Sequence, residues 1–243
     1  MNDRDRQRVA LVTGAAVRVG RTIALGLAND GYDLVAAYGR SDDEAMRLEG
    51  EVRALGRRCA LVQADLRTPG GAEQVVRVAR ETFGSLDAVV NSAASFRRVP
   101  LDEVDAAEWD EVMALNVRAA HLVVREALDL LRSSRGSVVN ITDLGAFEAW
   151  TEYPHHAVSK AALAHLTRVQ AKAYAPEVRV NAVAPGAVLA PDDWSDAQWS
   201  AVSEQAALRR PGSPADVLDA VRYFLSADFV TGQVLAVDGG RLL

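Results

Sequence analysis

The sequence predicts a single α/β domain built on one parallel, doubly wound sheet of seven strands with helices on both faces. Three observations predict it. Short apolar runs alternate with longer amphipathic segments along the whole chain, a glycine-bearing turn joins the first run to the first such segment, and no linker, repeat or low-complexity stretch divides residues 1–243.

The elements follow in order. Val9–Val12 is a strand-length apolar run ending on Thr13-Gly14, and a helix over about 19–30 comes next. Asp33–Tyr38 is the second strand, before a helix over about 42–56. Cys59–Gln63 is the third, before a helix over about 71–83, and Leu86–Val90 is the fourth. Beyond it Val112, Leu115, Ala119, Leu122, Val123, Ala127 and Leu130 recur at three- and four-residue steps, which predicts one long helix over 106–132 with a single buried face. Ser137–Ile141, a helix over 154–174, Arg179–Val183, a helix over 214–226 and Gln233–Val237 complete the series. The stretch from Pro185 to Pro214 holds Pro185-Gly186, Pro191-Asp192-Asp193, Trp194, Trp199 and Pro211-Gly212, and is read as irregular. It follows the sixth strand, where a crevice opens outside the strand ends of such sheets, so 185–214 is expected to be a substrate lid. A plain surface connection is the alternative; the two tryptophans favour the lid.

Composition removes several classes of function. Hydrophobic residues make up 49%, enough for a continuous core, while a net charge of −6 offers no basic excess for nucleic acid. The lone Cys59 can form neither a disulfide nor a multi-thiolate metal site within the chain, and no metal is expected. No apolar stretch approaches the ~18 residues of a membrane span. Met1–Arg6 is too polar to open a signal peptide, so a cytoplasmic protein with no membrane partner is expected.

The first turn carries the first chemistry. Gly14 ends a strand and Gly20 opens a helix, a junction that aims free backbone N–H groups and the helix dipole at a pyrophosphate. Gly14 permits the tight turn and Gly20 the close approach of helix to strand, but Arg18 replaces the middle glycine of the usual dinucleotide fingerprint. The second strand decides which dinucleotide. An NAD site would place a carboxylate at its C-terminal end, whereas this one reads Tyr38-Gly39-Arg40-Ser41, with Asp33 at the start. Arg18 and Arg40 would instead flank the adenosine ribose, and two guanidiniums suit the 2′-phosphate of NADP(H). The plainer reading of both is solvated surface charge.

With these residues in hand, the chain resembles the short-chain dehydrogenase/reductases from end to end. The resemblance rests on Thr13-Gly14 to Gly20, Ala64-Asp65-Leu66, Asn91-Ser92-Ala93, Asn116, Ser159-Lys160-Ala161-Ala162, Pro185-Gly186 and Val237-Asp238-Gly239-Gly240. It implies a Rossmann-type fold, Gly14, Val19 and Gly20 at the cofactor turn, Asp65 and Leu66 at the adenine, and Asn91 and Ala93 beside the cofactor. It also implies Lys160 on the nicotinamide ribose, Pro185-Gly186 at the cofactor, and a homotetramer built on the helices around 106–132 and 154–174. Within that family the chain is most similar to the pteridine reductases, which also carry arginine in the turn and Arg-Ser after the second strand. Their segment matching Asn91-Ser92-Ala93-Ala94-Ser95-Phe96 ends in a phenylalanine that stacks a pterin, so Phe96 is implied to bind substrate.

One catalytic position departs from the pattern. Where most of the family carries serine this chain has Asp143, again the pteridine reductase choice, and where the family carries its proton-donating tyrosine, four residues before Lys160, this chain has His156. A phenol titrates near about 10 and an imidazole near about 6.5, so the chemistry is not the same. Lys160 would disfavour imidazolium and Asp143 would favour it. If Asp143 prevails, His156 is a charged acid able to protonate the substrate atom next to the one that takes hydride. Tyr153, three residues earlier, offers a Tyr153–Asp143 donor pair instead. A third reading is that histidine here ended catalysis. Asn116 belongs to the implied catalytic group, and Trp150 and Trp194 are candidate walls of the substrate pocket. The sequence thus predicts an NADPH-dependent reductase of a pterin-like ring or a related small carbonyl or imine compound. A ketone or 3-oxoacyl thioester reductase, and a catalytically weak NADP(H)-binding protein with a sensing or partner role, are the other readings.

Overall fold

The computed structural model describes residues 7–191 and 194–243. Met1–Arg6, which bear on the expected absence of a signal peptide, and Asp192-Asp193 of the expected lid lie outside the described residues. The strands are β1 (Arg8–Thr13), β2 (Tyr32–Tyr38), β3 (Cys59–Gln63), β4 (Ala88–Asn91), β5 (Ser137–Ile141), β6 (Arg179–Pro185) and β7 (Val234–Val237). They form one parallel sheet in the order β3-β2-β1-β4-β5-β6-β7, so the winding reverses between β1 and β4. The expected fold class holds.

Both faces of the sheet are covered, which is why its strands read as unbroken apolar runs rather than alternating ones. On β1, Val9 and Leu11 pack into one core cluster and Ala10 and Val12 into the other, the two-residue alternation of a strand between two layers. The first cluster includes Ala72, Val75 and Val76 of α3 (Pro69–Phe83) and Val123 of α5 (Ala119–Glu126). The second includes Ile23 and Leu27 of α1 (Arg18–Asn29), Leu48 of α2 (Asp42–Ala54) and Phe224 of α9 (Pro214–Ser226).

Two expectations need correction. The single helix over 106–132 is a broken one: α4 (Ala106–Met113), a π-helical turn (Ala114–Arg118), α5, and α6 (Leu128–Ser134) after Ala127. The wider turn brings Asn116 into the interior, 2% exposed, where its amide holds the chain at Ser95. The irregular 185–214 stretch contains a helix, α8 (Asp196–Ser203), started by a capping box in which Ser195 and Gln198 satisfy each other's backbone. The helix expected over 154–174 is present as α7 (Pro154–Tyr174), with Pro154 in its first turn.

Candidate active site

A cleft of about 1460 Å³ opens at the C-terminal ends of the strands, where the winding reverses. Its floor at one end is the turn after β1. Gly14 has φ +65°, and a Cβ there would lie 2.9 Å from the Ala93 Cα; a Cβ on Gly20 would lie 2.1 Å from the Gly14 carbonyl oxygen. Side chains at either position would fill the cradle that the backbone forms. Arg18, where the fingerprint has glycine, keeps the glycine conformation at φ 54°, and its guanidinium donates to the Ala190 carbonyl at 3.1 Å. Thr13 Oγ1 accepts the N–H groups of Ser92 and Ala93 at 3.0 and 3.1 Å, tying the ends of β1 and β4 together.

Val19, Arg40, Asp65 and Leu66 line the same end of the cleft, and Ala93, Pro185 and Gly186 its middle. No carboxylate stands at the end of β2, which closes on Tyr38. Asp65 is gripped on both oxygens by Arg67, at 2.9 Å from Nε and 2.8 Å from Nη2; this hydrogen bonding holds its carboxyl below the ordinary range. Arg67 also lines the cleft and is a residue the sequence reading missed; the run Asp65-Leu66-Arg67 carried the signal. Five candidates are not on the cleft wall: Trp150 and Asn116, described below, and three more. Asn91 is buried, donating to Asn140 Oδ1 at 2.9 Å; Ser41 sits at the N-cap of α2; and Trp194 is absent from the lining.

The other end holds the acid–base groups. Asp143 follows β5 and caps a 3₁₀ turn, Leu144–Ala146, its Oδ1 accepting the Gly145 N–H at 2.9 Å. Its Oδ2 lies 2.5 Å from His156 Nε2, and His156 Nδ1 lies 2.8 Å from the Ser95 carbonyl oxygen. A carbonyl can only accept, so Nδ1 carries hydrogen, and the short second contact requires one proton between Nε2 and the carboxylate. Burial alone would raise the Asp143 carboxyl, but the His156 hydrogen bond, the Lys160 charge and the Gly145 N–H outweigh it and hold it below its ordinary value. Nε2 and the carboxylate thus share one proton.

Lys160, one turn beyond His156, is buried and donates to the Ile141 carbonyl at 2.9 Å. Burial pushes its ammonium down, with Asp143 pulling the other way. Tyr153 is the N-cap residue of α7 rather than part of its first turn, and it lines the cleft. Its ring stacks on Phe96 at 4.4 Å and 12°, and Phe96 turns its edge to His156 at 4.7 Å. Trp150 does not line the cleft; it lies parallel to the His156 ring at 6.2 Å, and its Nε1 donates to Glu148 at 2.7 Å. Asn116 sits behind the cleft wall and touches Ser95, Ser159 and His156.

A family model described as enoyl-(acyl carrier protein) reductase matches residues 14–241. The protein assigned as ketoacyl reductase 2 of the granaticin polyketide synthase of Streptomyces violaceoruber is 38% identical over 245 residues, spanning 97% of this chain and 96% of that protein. A variant of a Serratia marcescens short-chain dehydrogenase/reductase superposes with a TM-score of 0.91 at 28% identity, covering 97% of this chain and 98% of the other. A blue fluorescent protein from a metagenomic library, solved in complex with NADPH, gives 0.89 at 31% identity, covering 97% and 98%.

Proposed function

The chain belongs to the short-chain dehydrogenase/reductase family, and from that premise we propose that it is an NADPH-dependent reductase acting on a pterin-like ring or a related small carbonyl or imine compound. It is an oxidoreductase of a family that uses a nicotinamide cofactor. The residues present fit that group: the turn bearing Gly14 and Gly20 has room only for backbone, as a pyrophosphate cradle requires. Gly14, Val19 and Gly20 would hold the pyrophosphate, Arg18 and Arg40 the 2′-phosphate, and Asp65 and Leu66 the adenine. Ala93 would border the cofactor and Lys160 would hold the nicotinamide ribose, with Pro185 and Gly186 beyond, while Asn91 stays behind the wall. The bound cofactor supplies the hydride.

The observation that carries the reading is the 2.5 Å contact between His156 Nε2 and Asp143 Oδ2 at the cleft wall. Reduction of C=O or C=N at the carbon leaves an electron pair on the oxygen or nitrogen, and the proton shared by His156 Nε2 and Asp143 Oδ2 would pass to it. The ring is left neutral, with hydrogen on Nδ1, and regains its proton from solvent. In this reading His156 stands where the family has its tyrosine, and Asp143 holds it charged. Phe96, stacked on Tyr153 and 48% exposed, offers an aromatic platform for a flat heteroaromatic ring, with Trp150 backing His156. Tyr153 lines the same cleft and is the competing donor. The likeness to a ketoacyl reductase favours a second substrate class, ketones or 3-oxoacyl thioesters. The 185–214 segment acts as the lid, with Arg18 joining its Ala190 carbonyl to the cofactor turn. None of the described helices is long and apolar enough to cross a membrane, and the partner is a small molecule.

The test is NADPH oxidation with dihydropterins, folates, simple ketones and 3-oxoacyl thioesters, comparing the natural chain with His156→Tyr, Tyr153→Phe and Asp143→Ala. Activity in the natural chain that survives Tyr153→Phe and collapses in Asp143→Ala is expected. An inert natural chain beside an active His156→Tyr would instead establish a cofactor-binding protein without chemistry of its own.

A further inference from the structure

Beyond its carboxylate partner, His156 is held from the opposite side by a group that no sequence motif marks. The Ser95 carbonyl receives Nδ1 at 2.8 Å, and the Ser95 peptide is in turn clamped by Asn116. The orientation of that amide is fixed by its partners: Ser95 N–H can only donate, so the Asn116 oxygen faces it, at 2.8 Å. The two hydrogens on Asn116 Nδ2 then go to the Ser95 carbonyl at 3.2 Å and to Ser159 Oγ at 2.9 Å. Ser159 spends its own hydrogen on the His156 carbonyl at 2.6 Å. Every donor of Asn116 is therefore committed, and its 3.4 Å approach to His156 Nδ1 supplies no hydrogen to that nitrogen. Nδ1 has one outlet, the Ser95 oxygen.

We propose that the Ser95 carbonyl, clamped by the Asn116 side chain, is a tautomer lock on His156: it keeps hydrogen on Nδ1 through the whole cycle, so that only the Nε2 proton shared with Asp143 is exchanged with substrate. A tyrosine at this position has one acidic hydrogen and needs no such lock; an imidazole has two sites and does. Asn116 is a positioning residue, acting through the Ser95 peptide. The lock rests on the reading of His156 as the acid for its purpose, but its geometry is measurable without turnover.

The experiment is long-range proton–nitrogen NMR on the ¹⁵N-histidine-labelled full chain, with and without NADP⁺. The chain has four histidines, so the His156 signals are identified by their loss in His156→Gln. At a pH high enough to leave the ring neutral, hydrogen on Nδ1 and none on Nε2 is expected in the natural chain, with the ring dividing between tautomers in folded Asn116→Ala. A catalytic histidine in the wrong tautomer loses up to about 10⁴ in rate, and partial release here predicts a kcat lower by roughly tenfold to a hundredfold with KM within about twofold. Should Asn116→Ala not fold, Asn116→Ser shortens the side chain that clamps the Ser95 peptide without adding a charge, and the same change in spectrum is expected. An unprotonated Nδ1 in the natural chain overturns the lock, as does an unchanged spectrum in a folded Asn116 variant. An inert chain with the expected spectrum would overturn the proposed reaction and leave the lock standing.

Discussion

At the scale of single residues, the Asp143–His156 pair ties stability to pH. Because the Asp143 carboxyl sits below its ordinary value of 3.8 in the folded chain, the folded state binds fewer protons there than the unfolded one. Its contribution is full at neutral pH and is lost as pH falls through the lowered folded value. Urea unfolding of the natural chain and Asp143→Asn should differ by about 3 kcal/mol at pH 7 and converge in strong acid; a gap that persists there would contradict the pairing. At the cofactor end, Arg40→Ala should weaken NADPH by roughly tenfold or more and leave NADH unchanged, read by calorimetry. Equal losses for both cofactors would remove Arg40 from the 2′-phosphate. Asp143 and His156 were legible because they lie thirteen residues apart around a family motif. The Ser95 carbonyl was not, since a backbone group has no sequence identity, and Arg67 was passed over for the aspartate it grips.

At the scale of elements, the apolar steps that predicted one helix over 106–132 survive the π-turn, so periodicity alone could not reveal the break. What marks it is a buried polar residue, Asn116, in the middle of an otherwise apolar face. The helix α8 was legible in principle, because Ser195-Asp196-Ala197-Gln198 is a capping box, but the prolines around it dominated the reading. Ser195→Ala should loosen α8 by about 1 kcal/mol, seen as faster amide exchange confined to 196–203. If the segment is a lid, NADPH should slow exchange over 186–191 and 194–203 in the natural chain; protection limited to the turn after β1 would make it a surface connection. The turn itself makes a sharper demand. In Gly20→Ala the added carbon meets backbone, not a flexible side chain, at 2.1 Å, so the turn must deform. Loss of NADPH binding with a lowered midpoint of unfolding is expected.

At the scale of the whole molecule, the fold was the most legible layer, because the alternation of runs and helices dictates a parallel sheet covered on both faces and the hand of each crossover follows. Assembly is written on the outside instead. Along α7, Val158, Ala161, Ala162, His165 and Val169 recur at helical spacing on the face opposite the buried His156, Ser159 and Lys160, and Val158 and Val169 are 46% and 52% exposed. A stripe of mostly small and apolar side chains three turns long, on the helix that carries the candidate acid–base residues, is the kind of surface a two-fold interface covers. Toward the end of the chain, Tyr223, Phe229 and Leu235 are also exposed. The tetramer that the family resemblance implies would need such exposed apolar side chains at its contacts. Light scattering at micromolar concentration should give a particle of four times the 26.1 kDa chain, and Val169→Arg should reduce it to a dimer while leaving the fold intact. A monomer from the natural chain would refute the assembly, and an undiminished tetramer from Val169→Arg would move the interface off α7.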